Sequence, residues 1–225
     1  MSYIIKVSFV DSEPLIWRKV IIPDKITYRR LHQVIQLITN FESVFSDYHL
    51  YKFDLIEENI CVTNDKNRFE EHRDFLENKS FYDDKLSTMK KEWQSFEKVR
   101  QQVLAVKVKL PSTIKIDDYL VKYKKLKYTY DFGDDWEIEI ELIDVIENDD
   151  RLTAKVLDGE NIAPMEDCGG LDGFYGLLEV LSDTSHPDYN HIREWLDDKR
   201  FAPFDRTRLN IQLSNEKLKQ RAKNK

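Results

Sequence analysis

The most regular alternation of hydrophobic and polar positions runs through Leu126–Leu142, LKYTYDFGDDWEIEIEL. Leu126, Tyr128, Tyr130 and Phe132 share one side of a first arm. Trp136, Ile138, Ile140 and Leu142 share one side of a second, with Glu137, Glu139 and Glu141 opposite. A period of two predicts half-buried antiparallel strands, with Gly133-Asp134-Asp135 as the turn. A one-residue slip would carry a whole apolar face into water, so the arms must pair apolar with apolar. A three-residue loop does this by pairing Phe132 with Trp136, Tyr130 with Ile138, Tyr128 with Ile140 and Leu126 with Leu142. Lys127 then meets Glu141, and Asp131 meets Glu137. The second pair repels, by roughly 0.2–1 kcal/mol. Together with Asp134 and Asp135 it crowds four carboxylates at one hairpin tip. Solvent and nearby Lys or Arg would offset that crowding, and so would a bound cation.

The rest of the chain is read in the same terms. Tyr3–Val10 and Leu15–Ile22 alternate as a first hairpin around Asp11–Pro14. Thr27 is the expected N-cap of a helix to about Asn40, its stripe being Leu31, Val34, Ile35 and Ile38. His49–Leu55 and Ile60–Thr63 read as short strands, completing a β-β-α-β start. Asn64–Gln102 lacks Gly and Pro and carries Leu86, Met89, Trp93 and Phe96 at three-four spacing, which predicts one or two amphipathic helices. Val103–Leu110 reads as a strand, Ile116–Tyr123 as a short helix and Leu152–Leu157 as a strand. Helices follow with Phe174, Leu177, Leu178 and Leu181 on one face, then with Tyr189, Ile192, Trp195 and Leu196 behind Pro187. Phe201–Leu213 reads as an extended closing segment and Lys217–Lys225 as a frayed basic tail. The expected fold is α+β: a mixed or antiparallel sheet with helices packed on it. It forms a single domain over 1–225, with a helical insertion at about 64–102 and a tail at about 215–225.

Composition narrows the function classes. At 225 residues, 41% apolar and 34% charged, the chain can bury a sizeable core, and six Gly with six Pro leave little room for long linkers. A net charge of −7 opposes phosphate contact, so duplex binding is expected to be weak and salt-sensitive. No run approaches the ~18 apolar residues of a membrane span, and MSYIIKVSFV lacks a signal-peptide layout. Cys61 and Cys168 stand far apart without CxxC spacing. That fits a reducing cytoplasm and argues against a thiolate zinc site.

Four stretches, in order, carry a resemblance: IWRKVIIP at Ile16–Pro23, HLYKF at His49–Phe53, YTYDFGDDW at Tyr128–Trp136 and PMEDCGG at Pro164–Gly170. They resemble the plasmid pRiA4b ORF-3-like family over most of the chain, DFGDDW and EDCGG being the most specific parts. The resemblance implies a small bacterial α+β protein, encoded on plasmids or near transposable elements, with no established activity. The chain departs from the family in two places. Asn64–Gln102 is longer and more helical than the usual acidic linker. Tyr51 stands where a second His is common, which weakens a metal site needing two His there.

Candidate chemistry gathers on the two specific motifs. Asp131, Asp134, Asp135 and Glu137 of the hairpin could join Glu166 and Asp167 if the EDCGG loop packs over the tip. Clustered carboxylates suit Mg²⁺, Mn²⁺ or Ca²⁺, and such an ion could activate water for phosphoester hydrolysis. The plainer reading is a solvated turn held by local Asp–backbone bonds. Trp136 borders the same tip. Cys168 precedes two glycines at a helix start, where a dipole lowers a thiol pKa, but Glu166 and Asp167 oppose this. None of His32, His49, His72, His186 or His191 is placed beside it by sequence, so a packed loop cysteine is the simpler reading. Arg18 lies in a strand apolar on both sides and is expected to pair with a carboxylate, Asp131 or Asp167. The leading function is a non-enzymatic binding or accessory protein of a plasmid or mobile element. Its rivals are a metal-dependent hydrolase or nuclease, and a DNA-binding accessory factor. The helical insertion is the candidate surface for a protein partner.

Overall fold

A computed structural model describes residues 1–41, 49–197 and 199–218. The chain opens with β1 (Ser2–Phe9), β2 (Trp17–Pro23), α1 (Tyr28–Ile38) and β3 (Tyr51–Leu55), the expected β-β-α-β order. Thr27 caps α1 by accepting from the Arg30 N–H, and Leu31, Val34, Ile35 and Ile38 are all fully buried. Then come β4 (Ile60–Thr63), α2 (Lys66–Glu77), α3 (Lys79–Thr88), α4 (Lys91–Ala105), β5 (Lys107–Lys109) and α5 (Asp117–Tyr123). The central hairpin is β6 (Lys125–Tyr130) and β7 (Trp136–Ile146). Behind it lie β8 (Lys155–Glu160), α6 (Gly170–Ser182), α7 (Tyr189–Asp197) and α8 (Arg206–Ser214).

The eight strands form one sheet in the order β5-β4-β3-β6-β7-β1-β2-β8. Every pairing is antiparallel except β4 with β5, so the architecture is α+β with a mixed sheet. Alternation sorts its two faces. Ile5, Val7, Val20, Ile22, Phe53, Tyr128, Ile138 and Ile140 are buried in one core with residues of α1, α5, α6 and α8. The other face is charged and self-paired: Lys127 bridges Glu137, Lys125 lies 3.2 Å from Glu139, and Lys6 sits 5.4 Å over the Trp17 ring. No helix among the described residues is long and apolar enough to cross a membrane.

The hairpin register departs from expectation by two residues. Tyr130 pairs with Trp136, Tyr128 with Ile138 and Leu126 with Ile140, while Thr129 faces Glu137. The cause is the turn. Asp131 and Asp135 both adopt left-handed backbone (φ 51° and 52°), and the Asp135 N–H donates to the Asp131 carbonyl at 2.6 Å. Residues 131–135 therefore form a five-residue loop, Phe132 is expelled to 42% exposure, and the expected Asp131–Glu137 repulsion does not arise. A two-residue slip keeps apolar on apolar, so alternation could not detect it.

Three further expectations are corrected. Phe201–Leu213 is not extended: α8 forms because Asp205 caps the N–H groups of Thr207 and Arg208, and Leu209 and Leu213, four apart, are buried. Its Asn210 side chain accepts from the Val156 N–H at 2.7 Å and donates to the Val156 carbonyl at 3.0 Å, covering the edge strand β8. The stripe Leu86–Met89–Trp93–Phe96 is not one helix face, because α3 ends at Thr88 and α4 turns Trp93 and Phe96 outward. Arg18 pairs with no carboxylate among the described residues. It donates to the carbonyls of Trp17, Ile38, Glu160 and Asn161 and stacks 4.5 Å from the Phe204 ring. Gly159 makes this possible, since a Cβ there would lie 2.8 Å from Arg18 Cδ. Of the tail, residues 219–225 lie outside the described residues. Leu218, just before them, is buried and donates its N–H to the Leu152 carbonyl.

Burial of His32 in this core has a pH consequence. Its ring stacks on Tyr51 at 3.8 Å, and Nδ1 lies 2.8 Å from the Tyr128 hydroxyl. Burial first, then Arg29, pushes its pKa down from 6.5 to about 3. Below about pH 6.5 the unfolded chain takes up a proton that the folded chain refuses, so stability falls as pH drops toward 3. Urea unfolding at pH 6.5 and pH 5 should differ by about 2 kcal/mol on this account. His32→Gln should remove most of that difference, and an unchanged difference would show that the folded ring is charged.

Candidate functional site

The hairpin turn, the segment entering β3 and the loop between β8 and α6 meet at one end of the sheet. The Asp131 N–H donates to the Leu50 carbonyl at 2.9 Å, tying the turn to the residue after His49. Asn40 forms a bridge with Met165 and donates from Nδ2 to the Ala163 carbonyl at 2.7 Å, which anchors the start of the EDCGG loop. Gly169 donates its N–H to Asp134 Oδ2 at 3.3 Å. Gly170 has φ +71°, and a Cβ there would stand 3.0 Å from the Asp134 carbonyl oxygen. The two motifs therefore pack against each other.

At their junction stand His49, Asp131 and Glu166. One ligand-type atom from each lies within 4.8 Å of the others. His49 Nδ1 is 3.4 Å from Asp131 Oδ2, and Nε2 is 3.6 Å from Glu166 Oε2. Glu166 is 2% exposed and Asp131 8%, while His49 keeps a partly open edge. The Tyr130 hydroxyl donates to Glu166 Oε1 at 2.7 Å, and the Tyr130 ring meets that of His49 edge-on at 5.7 Å. Asp131 Oδ1 accepts from the Gly133 N–H at 3.0 Å, leaving Oδ2 on the His49 side. Each carboxylate is thus held at one oxygen and directed at the imidazole with the other. Such hydrogen bonds from the outer shell fix ligand orientation at metal sites. A protonated imidazole would form two ion pairs here; a neutral one offers a nitrogen ligand beside two carboxylate oxygens.

The remaining residues named from sequence go elsewhere. Asp134 holds the EDCGG backbone, Asp135 is exposed, and Asp167 is 2.8 Å from Lys199 Nζ. Trp136 is buried with its ring against Phe9 and Phe41, so it supports the site from the core. Arg18 lies under Phe204, away from the junction. Cys168 lines a groove of about 390 Å³ that also takes in His191 and Trp195. Its thiol donates to the Met165 carbonyl at 3.2 Å. His49 is the residue that periodicity and charge overlooked. Its signal was its place at the head of HLYKF, two positions before Tyr51, which stacks on His32 in the core.

The model of the family described as plasmid pRiA4b ORF-3-like protein matches residues 1–213. An uncharacterized protein, y4hQ of Sinorhizobium fredii (strain NBRC 101917 / NGR234), is 25% identical over 191 residues, covering 85% of this chain and 78% of the relative. A crystal structure of a protein of unknown function, MM3350 of Methanosarcina mazei Go1, superposes with a TM-score of 0.61 at 25% identity. That likeness covers 92% of this chain and 96% of the other.

The environment of Cys168 makes a direct prediction. Burial, with Asp134 and Glu166 nearby, pushes its thiol up to about 12, and burial raises Cys61 as well. Neither thiol should be ionised at pH 8. Both should react with Ellman's reagent far more slowly in the native protein than in urea. Prompt native labelling of Cys168 would mean that the loop does not hold it as described.

Proposed function

We propose a function for this chain from one premise: it belongs to the plasmid pRiA4b ORF-3-like family. The relatives above bring no activity to transfer, so the reading rests on the site. The protein is an accessory binding protein of a plasmid or mobile element, one α+β domain with a helical insertion. Its ligand is a divalent metal ion held by His49, Asp131 and Glu166. The observation that carries this reading is the convergence, within 4.8 Å, of one nitrogen and two oxygen ligands from three separate segments.

The donor set indicates which ion fits. An all-carboxylate tip would favour Mg²⁺ or Ca²⁺, whereas an imidazole beside two carboxylates suits Mn²⁺ or Zn²⁺ better. Two carboxylates and a neutral imidazole balance a divalent charge, which suits burial. Tyr130 would orient Glu166, and Asp131 would be fixed by its own turn. Asp134, Asp135 and Asp167 are left out of the ligand set, having the backbone, solvent and Lys199 as partners. A metal-dependent hydrolase on the same ligands would need a path for substrate. With Asp131 and Glu166 buried, only the edge of His49 offers one among the described residues.

Thermal melts after chelator treatment, with Mn²⁺, Zn²⁺, Mg²⁺ or Ca²⁺ added back, test the reading. An ion at a hundred times its Kd stabilises the folded state by about 2.7 kcal/mol. For a chain of this size that is a rise in Tm of roughly 5–10 °C. The rise should be largest with Mn²⁺ or Zn²⁺ and should disappear in Glu166→Gln and His49→Gln. It should persist in Asp134→Asn/Asp135→Asn, which neutralises carboxylates outside the set. A flat Tm with all four ions, or an equal rise in Glu166→Gln, would end the proposal.

A further inference from the structure

Helix α4 packs inside out. Glu97 is 3% exposed, 3.4 Å from Lys85 and 3.5 Å from Arg100, and Gln101 donates to the Tyr82 carbonyl at 2.8 Å. The helix is therefore fastened to its neighbours by its polar side. Its outer side carries Trp93, Phe96, Val99 and Val103, all between 53% and 69% exposed. Spacings of three, three and four keep these residues on one helical face. Phe81 of α3 is also 64% exposed, beside Tyr82, over whose ring Arg100 lies at 5.8 Å. An exposed apolar helix face of this kind marks a contact.

We infer that this face joins two copies of the chain, with their α4 helices antiparallel about a twofold axis through Phe96. The argument is the pattern of charge around that residue. Glu92 stands four positions before Phe96 and Arg100 four after it; Trp93 and Val99 stand three before and three after. An antiparallel copy reverses this order. Glu92 then lies level with Arg100 of the second copy, Trp93 lies level with Val99 of the second copy, and symmetry makes each pairing twice. A parallel copy would instead set Glu92 beside Glu92 and Arg100 beside Arg100. Arg100 can serve both roles: its side chain stays 41% exposed while it pairs with Glu97, and a guanidinium has five donors. Glu92 is exposed and enters none of the ion pairs among the described residues. One helix face buries less than the roughly 1,200–2,000 Å² of a standard interface, so the association is concentration-dependent.

Sedimentation equilibrium of the full chain, from low micromolar to millimolar, tests this independently of any metal. The apparent mass should climb from 26.9 kDa toward twice that value. Phe96→Asp should remain monomeric, its fold checked by circular dichroism; the position is exposed, so folding should survive. Under mild oxidation Phe96→Cys should cross-link to itself, because the axis brings the two copies of that position together. Val103→Cys should not, since its copies would lie roughly 21 Å apart along the helices. A wild-type chain monomeric at every concentration would overturn the inference. So would a dimer indifferent to Phe96→Asp, or self-linking of Val103→Cys as fast as of Phe96→Cys.

Discussion

The side chain of Asp131 closes its own turn, and the end of the sheet that carries the candidate site depends on that closure. One oxygen takes the Gly133 N–H, the backbone N–H takes the Leu50 carbonyl, and the left-handed φ of 51° turns the chain out of β6. The short polar side chain of Asp makes that conformation accessible by hydrogen-bonding locally, where a bulky residue would be strained. From this follow the two-residue shift in register, the expulsion of Phe132 and the placement of the second oxygen beside His49. The turn that sets the register also presents Asp131 Oδ2 to the imidazole.

How much of this could be read from the chain is clearest at that hairpin. Alternation names the buried residues of both arms correctly up to Tyr130 and from Trp136, because face is a property of parity. It says nothing about even-numbered slips, which the turn decides through the backbone of Asp131 and Asp135. The meeting of DFGDDW with EDCGG could be posed as a question from the motifs, but not answered, since it depends on Asn40 anchoring Met165 across the fold. His49 was visible only as a letter in a motif. A partly exposed His before a strand has no periodicity to mark it, and its meaning comes from two carboxylates distant in sequence.

Other differences share a physical cause. Arg18 is buried as its apolar strand implies but takes carbonyls where a carboxylate is expected, and Glu97, which hydropathy assigns to water, is 3% exposed. Arg18 is held by four carbonyls, which take four of the guanidinium's five donors, and by an aromatic face. Burial first, then the like charge of Arg208, lowers its pKa to about 10, as expected for a cation removed from water and solvated by backbone dipoles. Glu97 is satisfied by Lys85 and Arg100, both partly exposed. Each charge is tolerated because most of its hydrogen-bonding directions are met, the condition burial imposes on polar groups.

The two buried charges have opposite effects on their surroundings. Arg18 draws backbone toward itself from β2, the end of α1 and β8 with the residue that follows it, so it ties strands and a helix into one layer and needs Gly159 to make room. Glu97 draws side chains toward itself on the inner side of α4, and the apolar side of that helix faces water. Rotating the helix to bury Trp93 and Phe96 would carry Glu97 toward water and give up both its contact with Lys85 and the bond from Gln101 to the Tyr82 carbonyl. The ion pair wins the inward side, and the aromatic residues are left on a surface that nothing else among the described residues covers.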